Sequence, residues 1–76
     1  MTTEPALDCR GRPCPVPVIE LARALPRRAV GEVIEVLSDD PASAHDIPAW
    51  CRLRGQGYEG SAPRGPAWVY TVRRLS

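Results

Sequence analysis

Residues 6–37 read ALDCRGRPCPVPVIELARALPRRAVGEVIEVL, and the order of patterns along this stretch decides the fold. At its end, Glu32-Val33-Ile34-Glu35-Val36-Leu37 is rich in β-branched residues and predicts a strand. In its middle, Val18, Leu21, Ala22 and Leu25 fall at i, i+3, i+4 and i+7. That spacing makes one apolar stripe of a helix, with Glu20, Arg23 and Arg27 off it. Pro26 and Gly31 bracket the helix end. At its start, Ala6-Leu7-Asp8-Cys9 reads as a short strand with Leu7 and Cys9 on one face. Strand, helix and strand form a βαβ unit, whose two strands run parallel.

Beyond this unit, Ser38-Asp39-Asp40-Pro41 predicts a turn and a helix start, an acidic cap followed by proline in the first turn. A second helix is expected over 42–54. Pro48 inside it predicts a restart, with Asp46 capping a second segment that carries Trp50, Cys51 and Leu53. Gly55 and Gly57 close it. Tyr58-Glu59-Gly60 begins a weak third strand, and Pro63-Arg64-Gly65-Pro66 is a turn cluster. Trp68, Tyr70 and Val72 then alternate with Val69, Thr71 and Arg73 in a last strand whose first set reads as core. The order βαβαββ predicts a two-layer α/β (α+β) sandwich, a four-stranded mixed sheet with both helices on one face. No repeat or linker interrupts it, so residues 1–76 read as a single domain.

Composition narrows the function classes. Hydrophobic residues make up 43% of the chain, which argues against disorder. No apolar run approaches the roughly 20 residues that span a bilayer. Met1-Thr2-Thr3-Glu4-Pro5 shows no basic-then-apolar signal region, and a cytoplasmic location with no membrane partner is the expectation. All ten basic residues are arginine, yet the net charge is only +1, so no nucleic-acid partner is expected. Three cysteines, Cys9, Cys14 and Cys51, argue against a disulfide framework.

Cys14 falls where a strand and its loop give way to a helix. Unpaired amides and the helix dipole favour a thiolate at such a place. Pro15 and Pro17 are expected in the first turn, with Cys14 extended ahead of it. The amides of Val16 and Val18 are the donors that remain. Because the first two strands are parallel, Cys14 and Asp39-Asp40 should line one rim, the carboxyl edge where sites form in open α/β sheets. Arg10 and Arg12 belong to the same rim. Arginines favour a thiolate and aspartates oppose it.

Each of these residues also has a plainer reading. Cys14 could be a buried structural cysteine at a tight turn. Cys51 reads as core, and Cys9 packs from the first strand or approaches Cys14 as a resolving thiol. Asp39 and Asp40 read as a helix cap rather than a catalytic carboxylate pair, and His45 as a solvated or capping residue. Cys9, Cys14, Cys51 and His45 number four, but no C-x-x-C pair supports a zinc site, and no metal is expected.

Leu7-Asp8, Gly11 and Cys14-Pro15-Val16-Pro17, followed by Asp39-Asp40-Pro41-Ala42 and Asp46-Ile47-Pro48 through Cys51, resemble the signature of the TusA (SirA-like) sulfur-carrier family. The resemblance runs over nearly the whole chain. It implies the βαβαββ fold and a persulfide on Cys14, with no other cofactor. It also implies a cysteine desulfurase or rhodanese-like sulfur donor and a downstream acceptor protein, met in transient complexes by a monomer. In such families the sulfur goes toward tRNA wobble-uridine thiolation, molybdenum-cofactor assembly or sulfur oxidation. Cys9, where many members carry another residue, and Arg12, where an apolar residue is common, depart from the pattern. The rival functions are a Cys9/Cys14 dithiol redox module and a non-catalytic regulatory binding module.

Overall fold

The computed structural model describes residues 7–76; Ala6 of the expected first strand lies outside them. The elements are β1 (Leu7–Asp8), α1 (Val16–Ala24), β2 (Val33–Ser38), α2 (Ser43–Arg54), β3 (Gly57–Arg64) and β4 (Ala67–Arg73), with a single 3-10 turn at Leu25–Arg27. The sheet order is β1-β2-β4-β3. β1 runs parallel to β2, whereas β4 is antiparallel to both β2 and β3. This is the mixed four-stranded sheet with two helices on one face that the βαβαββ order predicts.

Period-two alternation places the core. Ile34 and Val36 on β2 lie opposite Val72 and Tyr70 on β4, and all four are buried. Leu21 and Leu25 come down on them from the first helical segment, and Ile47 and Cys51 from α2. α1 tightens into the 3-10 turn where Pro26, having no N–H, cannot continue the ladder.

Four local expectations need correction. α2 runs unbroken through Pro48. Ile47 before the proline and Cys51 after it lie on one buried stripe, and their packing carries the helix across the missing hydrogen bond. Asp46 therefore caps no second segment and lies in the first turn, while Leu53 is 80% exposed. β3 is eight residues long and extends through Pro63 and Arg64, leaving a turn of Gly65 and Pro66 alone. A proline is tolerated there because β3 is an edge strand paired only with β4. Gly65 adopts φ 59°, and glycine at the first central position suits a II′ hairpin. Finally, Trp68 shares the helix-covered face with Tyr70 but is 46% exposed. It pairs with Ser38 at the end of the ladder, where the helical cover runs out, and lines a hollow of about 360 Å³ with Asp40, Pro41, Ala44, Ser61 and Tyr70.

Candidate active site around Cys14

The loop from β1 to α1 is built from its amides. The Cys9 N–H donates to the Leu37 carbonyl at 2.8 Å and prolongs the parallel pairing past Asp8. The Arg12 N–H returns to the Cys9 carbonyl at 3.1 Å, a turn in which Gly11 takes φ 75°, a conformation costly for other residues. The Gly11 N–H donates to the Asp39 carboxylate at 3.0 and 3.2 Å. The Cys14 N–H donates to Asp40 Oδ2 at 2.7 Å. Asp40 Oδ1 accepts from the Ala42 N–H at 2.9 Å, so one carboxylate both closes the turn ahead of α2 and anchors the cysteine. The expected acidic cap with proline in the first turn is corrected: α2 begins at Ser43 with Ala42 as its N-cap, because the turn made by Asp40 holds Pro41 and Ala42 outside the helix. These bonds, from Ala42 first and Cys14 second, lower the pKa of Asp40.

The structure thus brings Gly11, Cys14, Asp39 and Asp40 together on the carboxyl edge of β1 and β2. Arg10 turns toward Asp8 instead, with guanidinium-to-carboxylate distances of 2.9 and 2.7 Å. That hydrogen bonding holds the Asp8 carboxyl down at about 2. Arg12 is exposed.

Around the sulfur, the expected prolines fall differently. Pro15 flanks α1 rather than entering it, and Pro17 occupies the second helical position. The Cys14–Pro15 peptide is cis. Cys14 lies in a turn rather than an extended segment, because the Val16 N–H bonds the Pro13 carbonyl at 3.0 Å and closes the chain around it. That bond also removes one of the two amides expected to serve the sulfur. Cys14 Sγ instead lies 3.0 Å from Ser43 Oγ, and Ser43 Oγ lies 2.7 Å from Ser38 Oγ.

Burial pushes the Cys14 thiol up; the Ser43 hydrogen bond pulls it down, and the Asp46 and Asp40 carboxylates push it up again. The net direction is upward, so the resting side chain is a thiol and the helix terminus does not prevail. Alkylation of Cys14 by iodoacetamide, followed by peptide mapping, should therefore inflect above the ordinary thiol range. Asp46→Asn should move that inflection toward lower pH by removing a negative charge. An inflection in wild type below the ordinary thiol value would contradict this electrostatic account.

The other two cysteines lie inside the domain. Cys9 is 2% and Cys51 1% exposed, both in the hydrophobic core and both free. Burial first, and Glu20 second, raise the Cys9 thiol pKa. His45 is exposed. Among the described residues no three His, Cys, Asp or Glu side chains gather to hold a metal ion. Sequence reasoning missed Ser38, Ser43 and the closeness of Asp46. Ser38 did carry a signal, a polar residue on the apolar parity of β2 after Ile34 and Val36.

Fold and site define a class: a small two-layer α/β domain that turns one half-buried cysteine outward at the first strand–helix joint. Residues 6–74 match the family described as Sulfurtransferase TusA, and the chain belongs to that family. It is 39% identical over 69 residues to a candidate sulfur carrier protein of Archaeoglobus fulgidus, covering 91% of this chain and 94% of the relative. It is 35% identical over 68 residues to YedF of Escherichia coli K12, another candidate sulfur carrier protein, covering 90% and 88%. A crystal structure of a SirA-like protein from Desulfitobacterium hafniense superposes with a TM-score of 0.79 at 25% identity, covering 92% of this chain and 96% of that one. No described helix is long and apolar enough to cross a membrane.

Proposed function

We propose that the chain is a sulfur carrier that holds a sulfane sulfur as a persulfide on Cys14 and passes it to an acceptor protein. One observation carries the reading: Cys14 alone of the three cysteines reaches the surface, and it does so on a loop fixed by two carboxylates. In loading, the Cys14 thiolate attacks the terminal sulfur of a donor persulfide. A new S–S bond forms, the donor's S–S bond breaks, and the donor leaves as a thiolate that takes up a proton. Delivery repeats the displacement in reverse roles, so no external oxidant or reductant is needed.

The donor is a cysteine desulfurase or a rhodanese-like protein, and the acceptor a protein thiol whose pathway consumes sulfane sulfur. The carrier works in the cytoplasm as a monomer in transient complexes and needs no resident cofactor besides the covalently held sulfur. A raised thiol suits this division of labour, because the thiol stays quiet until a partner's site removes its proton. Intact-mass analysis tests the reading. After incubation with a cysteine desulfurase, pyridoxal phosphate and cysteine, the protein should gain one sulfur atom, removable by dithiothreitol and mapped to the peptide containing Cys14. Failure to gain sulfur from desulfurase, rhodanese-type donors and thiosulfate alike would overturn it.

A further inference from the structure

Ser38 and Ser43 are the buried polar residues of the described chain, each 0% exposed. Their hydroxyls form a line that ends on the reacting sulfur. The line has a direction. The Asp40 N–H donates to Ser38 Oγ at 3.3 Å. Either atom could donate in each contact, and the order that gives every buried proton an acceptor runs from Ser38 to Ser43 Oγ and from Ser43 to Cys14 Sγ. The opposite order would leave the Ser38 proton in the interior with no acceptor, and buried donors rarely go unpaired. Once Cys14 ionises, its sulfur can only accept, which imposes the same direction.

Most of the nearby amides are already engaged elsewhere. In the first turn of α2 the Ser43, Ala44, His45 and Asp46 amides are taken by the carbonyls of Asp40, Pro41 and Ala42. The Val16 amide is held by Pro13 and the Cys14 amide by Asp40. The titratable groups facing Cys14 are Asp40 ahead of α2, Asp46 on α2, Cys9 after β1 and Tyr70 on β4. Both carboxylates oppose negative charge on the sulfur, and no cation stands among the four.

We propose that Ser43 is a catalytic residue of sulfur transfer, its hydroxyl donating a hydrogen bond to Cys14 Sγ as negative charge gathers there, and that Ser38 is the positioning residue that aims it. This assignment rests on the persulfide reading and adds its transition-state partner. When sulfur arrives, the bond raises the share of Cys14 present as the attacking thiolate. When sulfur leaves, the acceptor thiolate attacks the outer sulfur, the S–S bond breaks, and its electron pair returns to Sγ. Ser43 then stabilises the departing thiolate. A hydrogen bond to a charged atom is stronger than one to a neutral atom, so the help is greatest when charge is on the sulfur.

Two measurements separate this assignment from the carrier reading itself. The first needs no donor: the pH profile of Cys14 alkylation by iodoacetamide, with melting temperatures recorded alongside. Ser43→Ala should move the inflection to higher pH, Ser43→Thr should restore it, and Ser38→Ala should give a smaller move of the same sign. The second is release of sulfur from loaded protein to dithiothreitol, which Ser43→Ala should slow by about tenfold. A Ser43→Ala protein that melts like wild type and keeps both the profile and the release rate overturns the assignment. If Ser43→Ala does not fold, an unchanged profile in Ser38→Ala overturns the relay. A wild-type protein that takes up no sulfur sinks the carrier reading, while the alkylation profile still decides on Ser43.

Discussion

Replacing Cys14 with serine is expected to abolish persulfide loading altogether, whereas Cys9→Ala and Cys51→Ala proteins load to the same stoichiometry as wild type. Serine nearly matches cysteine in shape, so the loop held by Asp39 and Asp40 stays in place. Its oxygen cannot bear the sulfane sulfur, and no neighbouring thiol can stand in. Cys9 and Cys51 are closed off in the core at 2% and 1% exposure. Their own removal deletes one buried heavy atom each, at a cost of roughly 1 kcal/mol on the scale of a methylene deletion. Intact-mass analysis of the three variants after incubation with donor reads the result. Loss of loading in Cys9→Ala, with a normal melting temperature, would shift the chemistry to a dithiol pair; loading in Cys14→Ser would remove Cys14 from it.

Leu21→Ala is expected to have the largest effect on stability. Leu21 is fully buried on α1 and belongs to the cluster with Leu25, Ile34, Val36, Ile47, Tyr70 and Val72. Truncation removes apolar burial and leaves a cavity, at a cost of about 2–5 kcal/mol. A chain of 76 residues has only about 4–11 kcal/mol to lose. The melting temperature should fall by roughly 8–40 °C. Leu53→Ala on α2, where the side chain is 80% exposed, should stay within about 0.5 kcal/mol of wild type. Thermal unfolding of the pair followed by circular dichroism checks both, and equal melting temperatures would show that the core is not where the structure puts it.

Local periodicity carried most of the fold. Residues 32–37 are rich in β-branched residues, Leu21 and Leu25 share a stripe, and the strand–helix–strand order gives the parallel βαβ pairing. Elements whose identity depends on partners were less legible. β3 is weak by itself and becomes eight residues long because β4 pairs with it down its length. α2 passes Pro48 because burial on both sides of the proline outweighs one absent hydrogen bond. Trp68 has the parity of a core residue, and only the end of the helical cover decides its exposure.

The site divides the same way. Cys14 announces itself through the proline-flanked joint, and the rim through parallel topology. The Cys14–Ser43 and Cys14–Asp40 bonds span 29 and 26 residues, beyond the reach of any local pattern. The consumption of helix-terminal amides by loop carbonyls is equally invisible in the sequence. The thiol is raised, where its position at a helix start suggested a thiolate, because burial and then the nearby Asp46 and Asp40 carboxylates oppose the charge.

A first strand of two residues gives the molecule an uneven rigidity. The β3–β4 hairpin and its ladder to β2 are closed by long runs of backbone hydrogen bonds over an apolar layer. The thiol-bearing loop is moored instead mainly by side-chain groups, the Asp39 and Asp40 carboxylates and the Ser43 hydroxyl. Local opening there breaks a few polar bonds that water can replace, and it exposes little of the core. Under the proposed carrier role, the loop can loosen to meet a partner while the ladder of β2, β4 and β3 stays closed.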